Sequence, residues 1–396
     1  MVETRRAEGQ RDGFALAATV LALILVGALV TGGFYASTQE SRIANSLTMA
    51  NEALQVAEFG VHEALDDITT GEYEAVTIGE TKVNRTIDVG DRGRATVTVT
   101  RLADRLFLLS STGEVIVHGK TLASRTLGVL VRTVTLELET DRAMQLFGAL
   151  SVGGNARVVG TDVTPPTMGN TETCPPNKGD QAGVVARDES LVTYKKKNAI
   201  TGSPPVREDP SLIDPDKFLQ YGDLDYDGLA ARASKVLPAG IGPINDTYPS
   251  TRADGSCNTA DPRNWGAPLS ASHPCHTYFP IIHAKGDLKI NANASGQGIL
   301  LVDGDLEMMG GYTFHGIIIV RGALHTGAGN ARIYGTTIVF GNGSLGLESE
   351  SAMTGTPIVN FSTCAIDRAI RYNADLAAHP VQERSWIDLS SAGVDI

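Results

Sequence analysis

The sequence predicts an α+β chain. A long N-terminal helix, transmembrane in its first half and amphipathic in its second, packs on an antiparallel sheet; a mainly-β parallel solenoid with a long loop insertion follows. Three observations carry that prediction. Residues 14–34 (FALAATVLALILVGALVTGGF) run for 21 residues without a charge, close to the ~20 that a helix needs to cross the hydrocarbon of a bilayer. Residues 81–139 change from helical spacing to alternation. Residues 281–340 repeat at intervals of about 18, which marks a stack of similar turns.

The chain has 396 residues, more than one ordinary domain, with 33 Lys and Arg against 45 Asp and Glu. Its net charge of −12 argues against a nucleic-acid surface on the bulk of the protein. Arg5, Arg6 and Arg11 precede the apolar span and only Arg42 follows it closely. That bias sets the N-terminus in the cytoplasm and exports the remainder. All four cysteines, Cys174, Cys257, Cys275 and Cys364, then lie on the exported side, where disulfides persist. Three pairings are open. Cys257 with Cys275, inside one loop-rich stretch, is the preferred one, which would leave Cys174 to tie the long insertion to Cys364.

Residues 1–13 (MVETRRAEGQRDG) are polar and end abruptly at Phe14. A cleaved secretory signal would have a shorter apolar core and a small-x-small cleavage site, and bulky Tyr35 stands where that site would fall. After the span, Ile43, Leu47, Ala50, Leu54, Ala57, Val61, Leu65 and Ile68 recur every three or four residues without a proline between them, the spacing of one helical face. A continuous helix over 14–68 would be about 80 Å long.

This N-terminus resembles the type IV prepilins: a short leader ending in Gly13, aromatic Phe14, about twenty apolar residues, then an amphipathic helix. The resemblance implies cleavage between Gly13 and Phe14 by a prepilin peptidase, N-methylation of Phe14, and residence in the inner membrane before extraction into a filament beside other pilin subunits. One departure bears on the role. The fifth residue after Gly13, commonly Glu in such subunits, is Ala18, followed by Thr19. That absence is similar to certain minor pilins and to the tip pseudopilin of type II secretion systems.

The sheet is read from 82–89, 94–101, 106–110, 114–118 and 121–135, rich in Val, Ile, Thr and Leu and punctuated by Gly90, Gly93, Gly113 and Gly119. A helix followed by this meander resembles a pilin body spanning 37–140. Residues 149–159 (ALSVGGNARVV) suggest a first solenoid turn within 141–161, placed before the insertion. Residues 162–280 are rich in Pro, Gly, Asn, Asp and Ser and are expected to form an irregular insertion with one short helix near 227–237. Over 281–362 the motifs KGDL, DGDL and RGAL recur at 285, 303 and 321, and apolar strands are entered through Gly298, Gly316 and Gly335. The tail, 363–396, is expected to cap the last turn with a helix, and Trp386 to dock back on the body.

Asp223, Asp225 and Asp227 with Gly228 match the first half of a calcium loop, the one candidate cofactor site. The match stops there, because Ser234 stands where a bidentate Glu belongs; otherwise Asp227 would cap the short helix. The glycines at 341, 343 and 346 have dinucleotide spacing, but no helix follows them. His273, Cys275, His276 and Cys257 fit no standard zinc set. Asp287, Asp303 and Asp305 recur at corners of the repeat. No constellation identifies a catalytic base, so no enzyme activity is expected. The expectation is a structural minor pilin that primes assembly or displays an exported domain for adhesion. The other readings are a type II secretion tip pseudopilin and a membrane-anchored β-solenoid that binds or cleaves polysaccharide.

Overall fold

The computed structural model describes residues 12–133, 136, 138, 141–168, 174–291, 294–327, 329–341, 350–353, 356–376, 378–381 and 385–392. The fold is α+β: one long helix and mostly β-sheet, part antiparallel and part parallel. Helix α1, Asp12–Asp67, is unbroken over 56 residues. It closes beside a one-turn helix, Thr70–Glu74, whose start is fixed by reciprocal bonds between Thr69 and Glu72.

Four strands, β1 (Thr81–Val89), β2 (Gly93–Arg101), β3 (Leu106–Val117) and β4 (Lys120–Thr133), form an antiparallel meander. Its inner face alternates as a half-buried sheet must. Val97 and Val99, Phe107 and Leu109, and Val129 and Val131 close on Ala57, Val61, Ala64 and Ile68 of α1. The buried face of α1 begins only at Ala53, whereas Ile43 and Leu47 are each 59% exposed. The predicted stripe therefore outruns the sheet beneath it, and its first two turns have nothing to pack on.

Residues 106–117 are one strand, not the two separated by Gly113 that the sequence suggests. Gly113 is not a turn. A Cβ there would stand 2.2 Å from the Ala53 carbonyl oxygen and 2.4 Å from the Ala57 nitrogen, and one at Gly60 of α1 would stand 2.4 Å from Ser111 Oγ. These two glycines let helix and strand meet backbone to backbone.

Beyond residue 141 every ladder of the two larger sheets is parallel. Ile281 pairs with Ile299, Ile299 with Ile317 and Ile317 with Thr336, at offsets of 18, 18 and 19 residues. On a second sheet Leu288, Leu306 and Leu324 line up in the same way. Gly298, Gly316 and Gly335 hold φ of +107°, +135° and +140°, and a Cβ on Gly316 would lie 2.1 Å from the Gly298 carbonyl oxygen. Only glycine fits a corner that both bends the chain and presses it on the strand below.

The order of strands differs from the order of the sequence. Arg142–Leu146 and Arg157–Val159 follow the last repeat, not the first: the former pairs with Arg332–Val339, the latter with Ile358–Phe361. Ala182–Ala186 pairs with Arg142–Leu146, and Val206–Glu208 with Ala182–Ala186. At the other end Lys235–Leu237 pairs with Ile281–Ala284. Within the stretch expected to be irregular, five strands of two to five residues extend the stack, each too short to show a period.

The helix Thr363–Arg371 covers no edge. It lies across the strands Ser295–Val302, Thr313–Val320 and Arg332–Val339, with Ala369 against Gly316. The chain then returns to the antiparallel sheet, where Ala378–Pro380 and Trp386–Asp388 pair with β4. Trp386 sits 5.6 Å from the His62 ring of α1. The tail caps a face of one part and an edge of the other.

Candidate functional site: the bare half of the long helix

From Leu16 to Tyr35 the side chains of α1 are exposed throughout: Leu23 is 71% exposed, Leu29 76% and Phe34 74%. These twenty residues span about 30 Å, the thickness of the hydrocarbon layer. A surface this apolar has to be covered by lipid or by other helices. Its two threonine hydroxyls are already satisfied. Thr19 Oγ1 donates to the Leu16 carbonyl at 2.9 Å and Thr31 Oγ1 to the Gly27 carbonyl at 2.7 Å, so neither hydroxyl carries an unmet bond into an apolar medium. Ala18 and Thr19 put no carboxylate on this stretch.

Gly13 and Phe14 lie on the first helical turn, and their side-chain environment, like residues 1–11, lies outside the described residues. The glycine-spaced segment after Gly341 also lies outside them.

The structure does not bring the three aspartates of the calcium-like loop together. Asp223 pairs with Arg105 at the start of β3. Asp225 Oδ1 accepts from the Gly228 N–H at 2.6 Å and so caps the helix Tyr226–Ala230; the sequence reading gave that role to Asp227. Asp227 instead faces Arg321 at 3.1 Å. Among the described residues no group of three or more His, Cys, Asp or Glu is arranged to hold a metal ion. The proximity in sequence is spent on three separate ties, one of which, Asp223 to Arg105, joins the antiparallel sheet to the parallel part.

Cys257 is bonded to Cys275 and Cys174 to Cys364. His273 Nδ1 accepts from the Cys275 N–H, and His276 Nδ1 lies 3.1 Å from the Ala267 carbonyl oxygen; both histidines serve the loop. Asp287 Oδ1 accepts the Asp305 N–H at 2.9 Å and Asp305 Oδ1 the Ala323 N–H at 2.7 Å. The corner carboxylates thus tie each turn to the next. Asp303 differs, with Tyr226 Oη and His283 Nε2 each 3.0 Å from its Oδ1.

Sequence reasoning missed two groups. Asp162, buried, takes the Thr363 N–H at 2.9 Å, the Thr363 hydroxyl at 2.7 Å and the Lys178 N–H at 2.8 Å, so it anchors the start of the helix Thr363–Arg371 from 201 residues away. His315 lies beneath that helix between Gln297 and Tyr334 on neighbouring strands. Burial, and then the nearby His276 and Arg368, push its pKa down to about 3. It is a neutral ring in the core.

No protein-family model matches the chain, and no curated protein does. Among solved structures, the competence-associated pilin ComZ from Thermus thermophilus aligns over 86% of this chain and 97% of its own, with 15% identity and a TM-score of 0.23.

Proposed function

We propose that the chain is a pilin-like structural subunit, of the minor-pilin kind, rather than an enzyme. One observation carries the reading: α1 is a single rod, half of it gripped by its own sheet and half of it bare. A helix that only anchored a protein would need no stiff continuation into the globular part. A filament subunit does, because the displayed domain has to be held at a fixed distance and angle from a helical core. In this reading the span over 14–36 first rests in the inner membrane with the N-terminus in the cytoplasm. It then packs against the helices of other pilin subunits, where van der Waals contact replaces lipid. Ile43 and Leu47, exposed above the span, extend that contact. A prepilin peptidase would cut between Gly13 and Phe14 and methylate Phe14. The parallel stack, read as a solenoid, is the displayed part, and its role is adhesion or the priming of assembly.

Intact-mass and N-terminal peptide mass spectrometry on protein from the producing cell tests this. The expected product begins at Phe14 with one added methyl group, and Gly13→Ala leaves the leader in place. A mature chain that keeps residues 1–13 would reduce the protein to a tethered one and end the filament reading.

A further inference from the structure

In each turn of the parallel stack a short link joins a strand of one sheet to a strand of the other. Taken along the stack, the links at 291–294, 309–312, 327–331, 354–357 and 153–156 read NANA, MGGY, GAGNA, TGTP and GGNA, without a charge. The next link joins Val192–Tyr194, which pairs with Ala149–Val152, to Ile200–Thr201, which pairs with Arg157–Val159. It reads KKKNA. The neutral links show that the corner itself needs no charge, and three consecutive lysines repel one another.

Lys195, Lys196 and Lys197 are exposed, as is Arg157 on the neighbouring turn. Lys196 Nζ donates to Asn155 Oδ1, and none of the four cations forms an ion pair among the described residues. Elsewhere on this acidic chain Lys289 faces Glu307, Arg263 faces Asp246 and Arg321 faces Asp227. A cavity of about 320 Å³ opens between the two turns, lined by Asn155, Ala156, Arg157, Lys196, Asn198 and Ala199 and by no carboxylate. Tyr194, on the strand that leads into the link, is 44% exposed.

We propose that this corner binds an acidic polysaccharide, a chain of uronate sugars. The lysines supply point charges for its carboxylates. The amides of Asn155 and Asn198 both donate and accept, as sugar hydroxyls require, and the accessible Tyr194 ring offers an apolar face to a pyranose. A nucleic-acid duplex is the poorer match: tight binders of it spread about six to ten phosphate contacts along the backbone, whereas here four cations crowd two adjacent turns. The assignment goes beyond the filament reading and holds whether the chain sits in a fibre or in a membrane.

The test uses the full chain in a polyoxyethylene detergent, which carries neither charge nor sugar. It is titrated calorimetrically with hexagalacturonate, with maltohexaose as the neutral arm and a thymidine heptanucleotide, equal in charge, as the nucleic-acid arm. Hexagalacturonate is expected to bind in the millimolar range or tighter, to weaken as salt is raised, and to bind more tightly than either of the others. Lys195→Gln, Lys196→Gln and Lys197→Gln combined are expected to weaken it by about tenfold or more with the melting temperature unchanged, and Tyr194→Ala severalfold. The same change of charge at exposed positions elsewhere, Lys120→Gln, Lys217→Gln and Lys285→Gln, leaves binding unaltered. Lys197→Glu alone replaces the triple corner variant should that one misfold. No binding of hexagalacturonate, equal or tighter binding of maltohexaose or the heptanucleotide, unaltered binding in the corner variants, or an equal loss in the control variant overturns the assignment.

Discussion

At the scale of single residues, the backbone contact between α1 and β3 depends on two side chains that are absent. Gly113→Ala would drive a methyl group into the Ala53 carbonyl, a contact of 2.2 Å before relaxation, and overpacking of this kind costs about 1–3 kcal/mol. Denaturant unfolding should show that loss, with the parallel part unaffected. Gly79→Ala, where an added Cβ meets nothing within 4 Å but φ is +84°, isolates the smaller cost of backbone strain. His315 makes a second prediction. Its pKa in the fold, about 3, lies below the ~6.5 of a free histidine, so below pH 6.5 the unfolded chain takes up a proton that the folded one refuses. Its contribution is complete above pH 6.5 and is lost as the pH falls towards 3, at no more than about 1.4 kcal/mol per pH unit. His276, lowered mainly by burial, acts in the same direction. Replacement by glutamine, the residue Gln297 already supplies one strand away, should flatten the acid limb of a stability–pH curve relative to wild type. Little of this was legible in the sequence. A glycine at a close approach and a glycine at a turn are spelled alike, and a buried histidine shows itself only once the neighbouring turns are stacked.

Among the elements, the helix Thr363–Arg371 is held from several sides: by Asp162 at its start, by Gly316 beneath it, and by the bond from Cys364 to Cys174. That bond closes a loop of 190 residues, against 18 for Cys257–Cys275. Chain-entropy reasoning gives the longer loop roughly 5 kcal/mol and the shorter about 3. Cys174→Ser with Cys364→Ser is therefore expected to lower the melting temperature more than the paired serine replacements at 257 and 275. Differential scanning calorimetry decides between them. Elements with a long period were readable in advance: the 56-residue helix, the meander, and the repeat that puts Ile281, Ile299 and Ile317 in register. The strands between 182 and 208 were not, because two to five residues between prolines carry no periodic signal. Their identity comes from the neighbours that pair with them. The aspartates at 223, 225 and 227 misled for a related reason: spacing along the chain gave no hint of Arg105 and Arg321, which divide them.

For the molecule as a whole, the two hydrophobic cores seen among the described residues lie beyond Ala53, and residues 16–36 contribute to neither. Removing residues 1–36 should leave unfolding unchanged while abolishing the need for detergent. Size-exclusion chromatography should find the shortened chain monomeric and the full chain aggregated without a micelle. A shortened chain that unfolds at a much lower temperature would mean that the bare half supports the body after all.

The return of residues 378–380 and 386–388 to β4 has a mechanical meaning. Because the chain leaves the antiparallel sheet near residue 133 and comes back to the same strand, the stack hangs from it by two cords rather than one. A pull applied to the stack and resisted by the rod would be shared between the chain leaving near residue 133 and two three-residue ladders on β4. On the filament reading proposed above, that double tether would let the stack follow the rod under load.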